Sequence, residues 1–300
     1  MTLFIRYIVL IPLLFITSCS NNINTMERNK TMTISAIPDQ NPEKLNRLYA
    51  LLSNQLESEL GINVKYIPVI NYPAAVTAFR TSDLDIVWFG GLTGVQARLQ
   101  KPGSIVLAQR EIDRQFHSVF IANKKTAINQ IENIDDLKLL KGKRFTYGSE
   151  TSTSGRLMPQ YYLQKAEVSN SDFKGRIAGF SGSHDATLTL VESGSYEVGA
   201  LNEQIFISRM KKEGNKYENV KVIWRTPAYV DYHWLAQGNL DKKFGEGFTK
   251  KLRNILLDFN KDIPEHKQIL DLFGANKFIK ADSSQYKAIE KIGREIGKIR

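Results

Sequence analysis

Cysteine is almost absent, with Cys19 the single instance in 300 residues. No intramolecular disulfide can form, so the fold must rest on its apolar core. Histidine is scarce too. The four, His117, His184, His233 and His266, show no H-x-x-x-H or comparable ligand spacing, so neither a metal nor another cofactor is expected. No G-x-S-x-G elbow exposes a serine nucleophile. Past the N-terminus no apolar run is long enough to cross a bilayer, and there is no internal repeat. Acidic residues are outnumbered, 31 against 41 Lys and Arg, for a formal charge of +10. The lysines are scattered along solvated helix faces such as "KKLRNILLDFNKD" rather than interleaved with stacking aromatics, which argues against nucleic acid as a partner.

What is present begins with "MTLFIRYIVLIPLLFITSCS": one positive charge at Arg6, an apolar stretch from Tyr7 to Ile16, then small residues running into Cys19. That order reads as a secretory signal. Ile16-Thr17-Ser18-Cys19 resembles the bacterial lipobox, which implies cleavage before Cys19 and a diacylglycerol on its thiol. Residues 1–18 are thus expected to be a lipoprotein signal peptide, Cys19 the lipid anchor and polar residues 19–30 a flexible tether. The remaining chain is long enough for one large or two medium globular domains.

From Thr31 onward, strand-like apolar runs alternate with amphipathic helical ones, the pattern of an α/β fold with mostly parallel sheets. "TMTISAIP" and "INVKYIPVI" read as strands flanking a helix in which Leu45, Leu48, Leu52 and Leu56 share one face and Gly61 is the stop. "LDIVWFGG", "SIVLAQRE" and "FHSVFIAN" are further strands. "GKRFTYG" leads into a helix from "SGRLMPQYYLQKAE", and after Leu240 the chain reads as almost entirely helical. Strands near Phe116 to Ala122 and Ile223 to Pro227 look like crossings between two units. Residues 31–117 with 226–300 then form one lobe and residues 118–225 the other.

In such folds ligands bind beyond the carboxyl ends of strands, where helix N-termini present free N–H groups that favour an anion. "GSETSTSG" lies at such a mouth. Ser152, Thr153 and Ser154 add three hydroxyl donors, so the stretch reads as an oxyanion cradle; helix capping by Thr151 or Ser152 accounts equally well for it. Thr93, in "GGLTG", stands at a second possible helix start.

The run "LKGKRFTYGSETSTSG", with "YPAAVTAFRTSDLDIVWFGG", "FSGSHDATLTLVESGSYEVGAL" and "VIWRTPAYVDYHW", resembles in order and spacing the PhnD-like phosphonate-, phosphite- and phosphate-binding proteins of ABC importers. The resemblance covers essentially the whole mature chain. It implies a two-lobed type II periplasmic-binding-protein fold with two hinge crossings and a cleft between the lobes. It also implies that Tyr72 closes over the ligand, that Ser152, Thr153 and Ser154 hold the phosphoryl oxygens, and that His184 donates to an oxygen. Asp231 matches the family carboxylate, with Tyr232 beside it. His117 or Phe116, in "FHSVF", stands where some relatives carry a tyrosine, and Glu203, in "ALNEQ", where relatives that bind amine-bearing phosphonates carry a glutamate.

Why place a carboxylate in an anion site? Two bare charges about 4 Å apart repel by roughly 4 kcal/mol at an effective dielectric near 20. Asp231 therefore excludes a guest with no proton to share, such as sulfate or selenate, and favours phosphite, methylphosphonate or phosphate. The expected protein is a lipid-anchored monomer that hands such a guest to an ABC permease and its ATPase, not an enzyme. Other readings are a binding protein for another phosphonate or for a selenate- or sulfate-like oxyanion, a serine hydrolase built on Ser154, His184 and Asp231, and a sensor lobe for a membrane receptor.

Overall fold

The computed structural model describes residues 30–300. In chain order, β1 (Thr31–Ala36), α1 (Pro42–Leu60), β2 (Asn63–Tyr66), α2 (Tyr72–Arg80), β3 (Ile86–Phe89), α3 (Gly91–Gln100) and β4 (Ile105–Arg110) come first. There follow β5 (Ser118–Asn123), β6 (Phe145–Tyr147), α4 (Met158–Lys165), β7 (Gly179–Phe180), α5 (His184–Glu192), β8 (Val198–Asn202), α6 (Glu203–Glu213) and β9 (Val220–Arg225). The chain closes with β10 (His233–Ala236), α7 (Leu240–Phe244), α8 (Phe248–Asp258), α9 (Pro264–Phe273), β11 (Phe278–Lys280) and α10 (Lys287–Glu295).

Local chemistry explains the regular pieces. Asn41 caps α1, its side chain accepting the N–H groups of Glu43 and Lys44, and Pro42 occupies the first turn. Leu45, Leu48, Leu52 and Leu56 are all buried on one face, each contributing on the order of 2 kcal/mol. Gly61 ends the helix at φ 75°, a conformation that costs a residue with a Cβ. Truncating Leu52, which has no exposed surface, would cost about 2–5 kcal/mol.

The strands form two sheets, ordered β11-β4-β10-β3-β1-β2 and β7-β6-β8-β5-β9. The chain passes between them after Arg110 and again after Arg225, and the two passages pair at Phe116 and Tyr229 through N–O bonds of 2.8 and 3.0 Å. The sheets are mixed, which corrects the expectation of mostly parallel ones. β1 runs parallel to β2 and β3, and β6 to β7 and β8, whereas β5 and β10 run antiparallel to their neighbours. The reason is the crossings: β5 and β10 enter their sheets from the side at which β1, β3, β6 and β8 end.

A second correction concerns the tail. Within the stretch read as helical, β11 pairs antiparallel with β4, Phe278 opposite Arg110; three residues are too few to show a period of two. The stretch "NIDDLKLL" forms a 3₁₀ segment, Ile134–Leu140. One large core covers the first sheet. β5 divides the second by strict alternation, Phe120 and Ala122 facing one cluster, Val119 and Ile121 the other.

Candidate functional site

The first sheet's β3 ends at Phe89, and α3 begins after the single residue Gly90, so the N–H groups of Gly91 and Leu92 point out of the sheet. Neither is left open. Gly91 N–H donates to Asp231 Oδ1 at 2.8 Å and Leu92 N–H to Thr153 Oγ1 at 3.0 Å. Thr153 belongs to the segment after β6 and Asp231 to the return crossing, so three distant stretches meet at one helix start. Gly90 is needed there for space: a Cβ would lie 3.1 Å from Thr153 Oγ1 and 3.4 Å from Asp231 Oδ1.

The hydroxyl cradle opens on a turn of π-helix, Thr153–Leu157, that precedes α4. Such a turn widens the helix mouth and is common at functional sites. Ser152 does cap it, Oγ accepting Gly155 N–H at 2.9 Å, so the capping reading holds for this residue while its neighbours face elsewhere. Thr153 turns its hydroxyl to Asp231. Ser154 Oγ lies 3.4 Å from His184 Nε2.

His184 begins α5, fully buried. Its Nδ1 accepts Asn202 N–H at 3.3 Å, which leaves the proton of the neutral ring on Nε2. Burial pushes the imidazole down to about 4, so it stays neutral near pH 7. Nε2–H thus reaches the space shared with Ser154 Oγ and Tyr232 Oη, each 3.4 Å away. Tyr232 Oη also accepts Asn202 Nδ2–H at 3.2 Å, and its ring stacks on Trp88, centroids 5.7 Å apart. Tyr72, at the start of α2, is buried beside the Ser152 hydroxyl, its own Oη without a full hydrogen bond.

Asp231 is the unusual member. Burial pushes its carboxyl up to about 7, against the opposing pull of Gly91 N–H. Its Oδ1 is bonded, but Oδ2 is buried with no partner. A lone acceptor in a dry site calls for a donor.

Tyr72, Ser152, Thr153, Ser154, His184, Asp231 and Tyr232 are therefore brought together. His117 is not. Its Nδ1 is 2.7 Å from the Thr226 carbonyl, and Phe116, the neighbour facing the other way along this extended passage, packs edge-on against Tyr232 at 5.5 Å. Glu203 is spent on an ion pair with Arg225, and Thr93 Oγ1 donates to Gly90 O within its own helix. Cys19 lies outside the described residues.

Two members escaped the sequence. Asp39 follows β1, buried, and burial pushes its carboxyl up to about 6 despite a bond from Tyr232 and the charges of Lys44 and Arg110. Asn202 ends β8 and orients both His184 and Tyr232. Each sits at the carboxyl end of a strand, and that position was the available signal. Behind Tyr232, buried Arg110 is neutralised by Asp113 at 2.6 Å and lies 4.9 Å from the Tyr232 ring centroid.

Among the described residues no helix is long and apolar enough to cross a membrane, and no cluster of His, Cys, Asp or Glu could hold a metal ion.

Comparison with known proteins places this geometry. The pattern of the ABC-transporter periplasmic phosphonate substrate-binding proteins matches residues 34–286. A probable ABC transporter phosphite binding protein, PhnD1 of Prochlorococcus marinus (strain MIT 9301), is 57% identical over 271 residues, 90% of this chain and 91% of that one. The structure of PhnD1 in complex with methylphosphonate superposes with a TM-score of 0.89 over 90% of this chain and 99% of that chain. The phosphonates-binding periplasmic protein of Escherichia coli (strain K12) is 26% identical over 271 residues, 89% and 77% of the two chains. These relatives are transporter binding proteins, not enzymes, and the type II periplasmic-binding-protein fold is common to them. The chain belongs to the periplasmic phosphonate-binding proteins of ABC transporters.

Proposed function

We propose that the chain captures a small phosphorus oxyanion that still carries a proton, phosphite or methylphosphonate, in the cleft between residues 31–117 with 226–300 and residues 118–225. The observation that carries this reading is the unpartnered, buried Oδ2 of Asp231 in a site otherwise rich in donors. A guest P–OH donates to Oδ2 while its other oxygens accept from the cradle hydroxyls and His184 Nε2–H. The 57% identical PhnD1, crystallised with methylphosphonate, supports the same guest class. Lobe closure then presents the loaded form to the permease and its ATPase.

The protein acts as a monomer held by a diacylglycerol on Cys19 after removal of residues 1–18, with 19–30 as the tether. Cys19→Ser releases it to the soluble fraction; retention on the membrane removes the anchor. The cargo test is calorimetry of the mature protein against phosphite, methylphosphonate, phosphate, 2-aminoethylphosphonate, sulfate and selenate. Phosphite or methylphosphonate binds tightest and sulfate and selenate do not bind; sulfate binding as well as phosphite overturns the reading. A larger phosphonate is the second candidate, because a groove of about 580 Å³ opens beside Asp39, Trp88 and Asn202 with room for an organic tail.

A further inference from the structure

Two further hydrogen bonds join the lobes, one within the guest site and one outside it. His184 N–H donates to Asp39 O at 3.1 Å, and Asn41 N–H donates to Asp185 Oδ2 at 2.7 Å. Residues 39–41 belong to the lobe carrying α1 and residues 184–185 to the lobe carrying α5. Asn41 is already the cap of α1, so its position is fixed from its own side. Asp185 is fixed from the other. Arg209, on α6, grips it with a fork, Nε to Oδ1 at 2.6 Å and Nη2 to Oδ2 at 2.8 Å, and both side chains are only 16–17% exposed. Burial raises the Asp185 carboxyl, but the Arg209 bonds and charge outweigh it and hold it below the usual carboxylate range. The pair stands at the rim of a cavity of about 570 Å³, one residue from the imidazole that faces the guest.

We propose that Asp185, aimed by Arg209, is a latch that holds the lobes together through the Asn41 N–H and sets how slowly the guest leaves. Asp185 touches no guest; it is a positioning residue. An N–H bonded to a carboxylate is stronger than one bonded to a neutral oxygen, and Arg209 keeps the carboxylate from rotating away at no further ordering cost. Because the bond forms only as the lobes meet, it weighs on release and not on encounter. The latch is indifferent to guest identity, so it scales affinity for every guest alike. It sits on the reading of the cleft as the binding site, and the experiment separates the two.

Stopped-flow release and association of methylphosphonate are measured for the wild type, Asp185→Ala, Arg209→Ala and the double variant, with small-angle scattering of each protein free of guest. The latch predicts release about tenfold faster in Asp185→Ala, association within twofold of the wild type, and an unchanged rank order of phosphite and methylphosphonate. In the Asp185→Ala background Arg209→Ala adds nothing to release, since Arg209 acts through Asp185. Unchanged release in Asp185→Ala, or an additive double variant, overturns the proposal. Should methylphosphonate bind none of the proteins, the cargo reading falls and the latch is judged by scattering: a larger radius of gyration in Asp185→Ala supports it, an equal one overturns it.

Discussion

Replacing Asp231 with Asn separates charge from shape at the centre of the cleft. The side chain keeps its size and its Oδ1 bond to Gly91 N–H, but Oδ2 becomes an amide donor. For a fully ionised guest such as sulfate, a carboxylate about 4 Å away costs roughly 4 kcal/mol at an effective dielectric near 20. Its removal should raise sulfate affinity by up to about a thousandfold. A protonated guest loses a charge-assisted bond instead, about 1.5–3 kcal/mol, or roughly ten- to a hundredfold in affinity. The two guests thus move in opposite directions. The sign of the pH dependence follows from the carboxyl raised to about 7 by burial. Below that value free Asp231 is neutral and can donate to an ionised guest, and above it the charge returns, so wild-type rejection of sulfate sharpens from pH 6 to 8. In Asp231→Asn it does not change with pH. Isothermal titration at pH 6, 7 and 8, after refolding to strip any carried guest, reads all three effects. If sulfate stays excluded by Asp231→Asn and the phosphorus guests bind as before, the proton-sharing argument is wrong.

The same carboxyl sets a stability difference. Its folded value near 7 exceeds the ordinary 3.8, so the stability it confers is complete below about pH 4 and lost as pH rises through 7, worth on the order of 4 kcal/mol. Guest-free Asp231→Asn should therefore gain on the wild type in urea denaturation between pH 5 and 8, and a constant difference would contradict the shift. Gly90→Ala puts a Cβ 3.1 Å from Thr153 Oγ1 across the cleft while its φ of −73° suits alanine, so guest affinity falls about tenfold with the melting temperature of the guest-free protein unchanged. Gly94→Ala behaves otherwise: its Cβ would lie 2.2 Å from His233 Cε1, within one lobe, and thermal denaturation should show a loss of about 1–3 kcal/mol. Ser152→Ala with Thr153→Ala should abolish measurable guest binding and leave circular dichroism unaltered, since the one removes a cap and the other the partner of Leu92 N–H.

How much of this was legible depended on whether a feature is local. α1 could be read from four leucines at helical spacing between a cap and a glycine, because each of those signals acts within a turn of itself. The hydroxyl run of the cradle was equally plain. Asp39 and Asn202 were not, because nothing beside them in sequence differs from an ordinary loop or strand end; only the convergence of four strand ends gives them work. His117 and Phe116 could not be told apart from the sequence for a geometric reason. In extended backbone neighbouring side chains point to opposite faces, so a one-residue offset exchanges the residue facing Tyr232 for the one facing Thr226. The antiparallel entry of β5 and β10 depends on chain path and leaves no periodic trace.

The hydrogen bonds of the cluster involve neutral donors and carboxylates, with no lysine or arginine among them in the described residues. Arg110 is neutralised by Asp113, and Arg156 lies 3.9 Å over the Tyr147 ring. For a site that takes anions this looks perverse, since a cation would add attraction. The attraction would be the wrong kind. A lysine pulls on net charge and so favours the doubly charged guest over its singly protonated analogue, which is the opposite of the preference proposed for Asp231. Hydroxyls and a neutral imidazole count oxygens and protons one by one, because each buried donor or acceptor left without a partner carries its own cost. On the proposed reading selectivity is built from unmet hydrogen bonds, and the surplus positive charge of the chain is left to the surface, where it can draw any anion toward the cleft without deciding which one stays.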